Sequence, residues 1–522
     1  MKFLSLLIAL SIVLSCFAVS AHAADLDLDL KRGYQLGVIA ANGENNSQEI
    51  KSGIHSDAGG MAVYAVQGGK ADVNVKGSIS SVGEGIVLFL NADGKEPSEA
   101  EISAKNVYVE GFSGIDIRAG EGKADVLVKD IEVAGKTDRD TLDLAGIRVR
   151  NDQADINISA GSVAVIADEE CEDDIYTPTA INVHSGFYSN TKIEAEDIFS
   201  AARGVYATAR DDGNAVIFVG DIEAAGDGVE AVAVGGGNID FSAGNIDAAG
   251  TGVLASTART NDFFGASELR ISADEIRAEG KGLAVSAMDK DSSADISVGG
   301  IESVDDAVSI SSDMGANTSV VITGDVKSKE GVAFDINAED GCATAIAVDG
   351  AVDSEGGLMR ITLNPKHAEN QNYPEIAVWK LEDACREGMV EVVWRDKRDA
   401  LENNEEFQAM KQEAAEIAAG KIMYIIRAEQ PGSGAAIELL REDGTALDDF
   451  CGYKAAKAGE KIVIRVALEE GYALSKIFNG VGAVTEIAED ENGEYSIVVP
   501  ENGGVCISAD IIAPSGEIVR AG

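Results

Sequence analysis

The sequence predicts an all-β protein whose main body is a parallel β-helix, with three short strands in each coil of about 24 residues. Three observations predict it. The phrase DIEAAGDGVEA at 221–231 returns as NIDAAGTGVLA at 245–255, 24 residues later. A small residue, usually glycine, recurs just ahead of an apolar triplet over most of the chain. Between these anchors, apolar and polar residues alternate in runs of four to six, punctuated by Gly, Asp and Asn. Alternation with period two is strand behaviour, and the punctuation is turn chemistry. The runs are too short and too glycine-interrupted for helices.

Taken in order, the first element is a targeting segment, 1–23. Lys2 precedes the apolar run FLSLLIALSIVLSCFAV and the small residues Ser20-Ala21-His22-Ala23. This is the pattern of a secretory signal peptide cut after Ala23. The loose lipobox Val13-Leu14-Ser15-Cys16 offers lipidation of Cys16 as the alternative. The apolar run is shorter than the roughly 20 residues of a bilayer span, so no transmembrane segment is expected. The expected location is extracellular, secreted or at the cell surface.

Residues 24–364 form the predicted β-helix, with 24–50 as a cover for its first rung. The anchors are Gly53, Gly85, Gly114, Gly146, Ala180, Gly204, Gly228, Gly252, Gly282, Ala307, Gly331 and Gly357. One coil reads 294–298, 300–304 and 307–310, and the next reads 319–322, 325–328 and 332–336. Adjacent coils should pair in parallel at about 4.8 Å, stacking inward Ile, Val, Ala and Phe into one narrow core. A single rung cannot bury its apolar face alone, which is why the phrase repeats. The anchor glycine is expected where a Cβ would crowd or a positive φ is needed. Four polar inserts, at 96–101, 136–141, 169–179 and 258–268, are expected to protrude as loops, where specific binding would be sought.

After Leu363 the repeat is expected to stop. Residues 365–420 read as a capping and linking segment. Glu375–Trp379 and Val390–Trp394 are strand-like and carry both tryptophans, expected to pack on the last rung. Within 404–419, Phe407, Met410, Ala414 and Ile417 fall at helical spacing ahead of Gly420. Residues 421–522 read as a small β domain. Its strands are Lys421–Ile426, Lys461–Leu468 (Ile462, Ile464, Val466 and Leu468 on one face), Tyr495–Val499 and Val505–Ile511.

The formal charge is −48. That argues against nucleic acid and against docking on anionic lipid, both of which need a basic surface. Hydrophobic residues make up 45% and recur regularly, so the acid belongs to the outside of a folded chain rather than to disorder. Beyond Cys16 the cysteines are Cys171, Cys342, Cys385, Cys451 and Cys506. An odd number leaves one unpaired, a Cys451–Cys506 bridge stays open, and no spacing suggests zinc.

No catalytic residue is expected. The pairs Asp173-Asp174, Asp211-Asp212 and Asp305-Asp306 fall at predicted turns or inserts, and His55, His184 and His367 stand in no constellation. The one metal candidate is the acidic insert Asp168, Glu169, Glu170, Glu172, Asp173 and Asp174, whose oxygen ligands would suit calcium; a solvated loop is the plainer reading. No other cofactor is expected. Gly235–Gly237 lacks the Gly-Lys-Ser/Thr ending of a P-loop and reads as a turn.

Two resemblances follow from these residues. The coils over roughly 30–364 resemble right-handed parallel β-helices of the pectin-lyase-like kind, found in secreted bacterial surface proteins and adhesins. The stretches 457–462, 470–474 and 492–500 are similar to the small β-rich repeat module of Gram-positive surface proteins, including internalin B-repeat-like units. Together they imply a secreted or cell-surface structural or adhesive protein, non-catalytic, presenting loops to an extracellular protein or glycan ligand. The alternatives are a carbohydrate-active β-helix enzyme (polysaccharide lyase or hydrolase) or a calcium-binding matrix component. No LPxTG motif, no autotransporter barrel pattern and no GGxGxDxUx calcium repeat accompanies the resemblance.

Overall fold

The computed structural model describes residues 34–92, 96–135, 144–167, 177–258, 265–338, 342–363, 375–378, 390–394, 408–409, 412–414, 417, 420–431, 433–447, 449–480, 484–491, 493–501 and 503–520. The chain divides into two compact units, residues 1–201 and 202–522. Each carries parallel β-helix coils, as the repeat predicts.

In the first unit, Tyr34–Ala41, Gly59–Val66, Ile86–Asn91, Ser113–Ala119, Ala145–Asn151 and Thr179–Ser185 pair successively in parallel as one side of the coils. Asn45–Ile50 and Lys70–Val75 begin a second side, which runs on through the long strands Ser98–Glu110 and Gly122–Gly135. The expected cover at 24–50 is therefore corrected for its described part: 34–50 already forms rungs.

Two further expectations change in this unit. Gly53 is not an anchor. Met61 pairs with Ile86, so Gly60 is the counterpart of Gly85 and the spacing is 25. Gly53 instead heads the short strand Ile54–Ser56, which pairs with Ile79–Ser81 on a third side. A Gly-Ile start looks alike on any side of a coil, so the local pattern could not tell them apart. The insert at 96–101 is also only partly a loop. Ser98 opens a strand, because Ala100 and Ile102 supply inward residues 4% and 1% exposed.

In the second unit the opening repeat is literal. Val205 pairs with Val229 and Val229 with Val253, then Val253 with Leu283 and Leu283 with Val308. The residues ahead of these, Gly204 to Ala307, line up as predicted. Neither Gly228 nor Gly252 takes a positive φ. A Cβ on Gly228 would lie 2.5 Å from both the carbonyl oxygen of Gly252 and Cγ2 of Ile246. Crowding is thus the reason for these glycines. Beyond Ala307 the anchors shift: Val308 pairs with Phe334 and Phe334 with Met359, so Ala333 and Leu358 replace Gly331 and Gly357.

The second and third sides merge in three coils into the eleven-residue strands Asn238–Ala248, Glu268–Ala278 and Ser293–Ser303. Their inward residues stack: Phe241, Ile271, Ile296, Val320 and Ile346 occupy successive rungs and are nearly inaccessible. Each such side chain contributes about 1.5–3 kcal/mol by leaving water.

The expected stop at Leu363 is corrected as well. Val390–Trp394 pairs in parallel on Met359–Leu363, and Glu375–Val378 on Ala343–Val348. The backbone of 390–394 is a further rung rather than a cap; Trp379 lies outside the described residues. Of the predicted helix, 408–409, 412–414 and 417 are helical and the rest lies outside the described residues.

Met423–Ala428 splices the coils to the C-terminal module. Ala377 and Val378 pair in parallel with Met423 and Tyr424, while Tyr424 to Ile426 pair antiparallel with Ala456 to Lys454. Beyond it Val505–Ile512 pairs in parallel with Met423–Ala428 and antiparallel with Ala473–Asn479, while Ala435–Arg441, Lys461–Leu468 and Tyr495–Val498 form a separate antiparallel sheet. The alternation in Lys461–Leu468 buries Ile462 and Ile464, but Leu468 at its end is exposed. Cys342, Cys451 and Cys506 are free, so the 451–506 bridge does not form; Cys171 and Cys385 lie outside the described residues. Among the described residues no helix is long and apolar enough to cross a membrane.

Candidate functional site

Among the described residues, a concavity lies in the second unit, where a C-terminal hairpin meets the outer face of the merged strands. Parallel register sets Asp240, Arg270, Asp295 and Ser319 on four successive rungs, and Ser272 beside Ser297 two residues further along. These positions alternate with the buried column of Phe241, Ile271 and Ile296, so they point outward.

The facing wall is the hairpin Asp449–Phe450 and Tyr453–Ala456. Its two-residue turn, Cys451-Gly452, has φ of 50° and 82°, the paired left-handed geometry of a tight β-hairpin. The hairpin is seated: Phe450 and Ala455 are buried against Ala345, Ala347 and Ala377. The Cys451 thiol donates to the carbonyl oxygen of Ala343 at 3.4 Å. Burial pushes this thiol up to about 12, so it stays protonated and keeps its proton for that contact.

The cleft between has a volume of about 540 Å³ and is lined by Asp240, Arg270, Asp295, Ser297, Ser319 and Tyr453, among others. Arg270 donates to Glu268 on its own strand. Asp295 is partly withdrawn from water, and burial first, then the neighbouring Glu268, raises its carboxyl above the usual range while Arg270 opposes the rise. The Ser272 hydroxyl points back toward the Phe241 carbonyl oxygen at 3.5 Å. The arrangement offers acceptors, one guanidinium, amphoteric hydroxyls and an aromatic ring.

A second polar cluster stands on the first unit. Tyr64 and Phe89 stack at 4.6 Å, with the Arg118 guanidinium 5.2 Å from the Phe89 ring. Arg118 donates to the buried Asp116 at 2.6 Å, and Arg148 lies 3.9 Å from the same oxygen. Burial works against the Arg118 charge, but the hydrogen bond and attraction of Asp116 outweigh it and raise its pKa. The rings stack on each other and under the guanidinium, while Oδ1 of Asp116 is buried without a hydrogen-bond partner.

The sequence-predicted sites fall as follows. Asp168, Glu169, Glu170, Glu172, Asp173 and Asp174 lie outside the described residues, as does His367. Among the described residues no group of three or more His, Cys, Asp or Glu is placed to hold a metal ion. Asp211 and Asp212 both have left-handed φ and form a turn. Asp306 is not a solvated turn residue: it is buried, accepts from the Val332 amide at 3.0 Å and lies 3.5 Å from Lys281. His55 and His184 sit within strands.

Sequence reasoning missed the cleft. One signal was available: Asp240, Arg270 and Asp295 each precede an apolar residue and a serine (Phe241-Ser242, Ile271-Ser272, Ile296-Ser297). Written in coil register, that recurrence marks a shared outer face. No family model, curated protein or solved structure matches this chain.

Proposed function

We propose that this is a secreted or cell-surface structural and adhesive repeat protein, non-catalytic, that presents a pre-organised outer surface to an extracellular protein or glycan. One observation carries the reading. Parallel register fixes outward side chains from four consecutive rungs, and the seated hairpin converts that face into a cleft without any rearrangement. Pre-organisation of this kind lowers the entropic cost of binding. The signal-like segment 1–23 and the surface-module pattern at 457–500 support export, and the −48 charge suits a solvated repeat surface.

The carbohydrate-active enzyme is the second reading, because the cleft holds two carboxylates. Asp240 and Asp295 stand two rungs apart, about 10 Å along the stack. That backbone spacing lies at the upper edge of the roughly 6.5–9.5 Å between the carboxyls of inverting glycoside hydrolysis, so turnover rather than spacing separates the two readings. The test applies the chain from Ala24 onward to immobilised glycans and matrix proteins and assays the same glycans for reducing ends and unsaturated uronides. Saturable capture without turnover is expected. Product release would replace the adhesive reading with the enzymatic one.

A further inference from the structure

We propose that the cleft between the hairpin turn at Cys451-Gly452 and the Asp240–Arg270–Asp295 ladder binds an uncharged carbohydrate. The inference rests on the reading of the chain as a binding protein and names the ligand class.

The lining favours a polyol. Sugar hydroxyls both donate and accept, and the ladder alternates acceptor, donor, acceptor on consecutive rungs. Ser297 and Ser319 add hydroxyls that serve either way. Asp295 enters no ion pair or hydrogen bond among the described residues, so its carboxylate oxygens are available to a ligand. Tyr453 supplies the aromatic wall against which a sugar's C–H face can pack. Ligand pockets commonly combine such a ring with a few fixed polar groups.

The charge excludes the competing ligand classes. Two carboxylates flank one arginine, and that arginine is already engaged by Glu268. Burial and Glu268 already disfavour the charge on Asp295, so a ligand carboxylate, sulfate or phosphate would add a further like charge. The whole chain at −48 repels polyanions before they arrive. An apolar peptide could pack on Ile271, Ile296, Val321 and Tyr453 but would strip water from the two carboxylates.

The site is built from paired strands on both sides. Its floor is a continuous parallel sheet over a closed core. Its wall is a tight hairpin held by Phe450, Ala455 and the Cys451 thiol. A ligand therefore meets formed geometry and orders little protein on arrival.

The experiment is calorimetric titration of the full chain with neutral cello-, manno-, malto- and chito-oligosaccharides, with polygalacturonate as the anionic comparison. Two variants accompany it: Asp295→Asn, which keeps shape and removes charge, and Ser297→Phe, which fills the cleft from an exposed strand position. Saturable binding of at least one neutral oligosaccharide is expected, roughly tenfold weaker in Asp295→Asn and absent in Ser297→Phe. Both variants should melt with the parent; if Ser297→Phe does not fold, the isosteric Asp295→Asn decides. No saturable neutral ligand, tighter binding of polygalacturonate, or parental affinity in Asp295→Asn overturns the proposal. Capture of a matrix protein that survives Ser297→Phe sinks the cleft and leaves the adhesive reading standing. A chain that captures neither glycan nor matrix protein removes both.

Discussion

Gly228 in the coils of the second unit and Gly459 in the C-terminal module are glycines for opposite reasons. In the coils, Gly228 has ordinary backbone angles, and the space a Cβ needs is taken by the Gly252 carbonyl and Ile246. In the module, Gly459 has φ of 79° with nothing within 4 Å of a built Cβ. The first glycine answers to close packing between rungs, the second to the backbone conformation of a turn. A parallel stack is limited by how near its corners approach, whereas an antiparallel meander is limited by how tightly it can reverse. The same residue type therefore reports spacing at Gly228 and handedness at Gly459.

The sharpest way to break this contrast is a pair of substitutions. Gly228→Val should cost about 3 kcal/mol or more, because backbone carbonyl and a core side chain must both move. Gly459→Ala should cost about 1 kcal/mol, the strain of a left-handed non-glycine residue. Calorimetric melting of the two variants reads the difference, and equal penalties would erase the distinction.

A smaller effect sharpens the electrostatics of the coils. Asp335 is half-buried, and burial first, then Asp306, raises its carboxyl pKa. Its Oδ1 is buried without a hydrogen-bond partner. A raised folded pKa means that folding favours the protonated form. That contribution is full below the unfolded carboxyl pKa and is lost as pH rises through the folded one. Asp335→Asn should therefore stabilise the chain at pH 7, with solvent screening limiting the gain to about 0.5 kcal/mol. The gain should vanish in acid, where both side chains are neutral. A gain that persists in acid, or a loss at pH 7, refutes this account.

The smallest perturbation leaves the fold untouched and asks about thiols. Burial pushes Cys451 up to about 12 and, with Glu429 adding to it, Cys506 up to about 11. Native alkylation at pH 7.5 should label both at least roughly a hundredfold more slowly than in urea. Rapid labelling, or recovery of the two as a disulfide-linked peptide pair, contradicts the structure.

Much of this fold was legible in the sequence because its physics is periodic. The 24-residue spacing from Gly204 to Gly252 is the backbone register itself, and Lys461–Leu468 has the predicted bounds. Errors arose where one local pattern serves two positions. Gly53 heads a third side, and Gly331 precedes its coil's true corner, Ala333, by two residues. Val390–Trp394 escaped the repeat because intervening chain hides its rung-to-rung spacing from any fixed period. The cleft was half legible. Its floor repeats in register, but its wall depends on where a hairpin lands, and Cys451 touches Ala343 across 108 residues of sequence. No local propensity encodes a contact of that separation.

Tyr424 is paired on both sides, with Val378 in parallel and Ala456 running the other way. Solenoids of near-identical turns carry an inherent hazard, since one molecule's terminal turn is a template for the first turn of the next. At this strand the template has been used up by a partner of opposite direction. Head-to-tail pairing through that sheet would require the hairpin to peel away first, so the residues that seat it also block that edge.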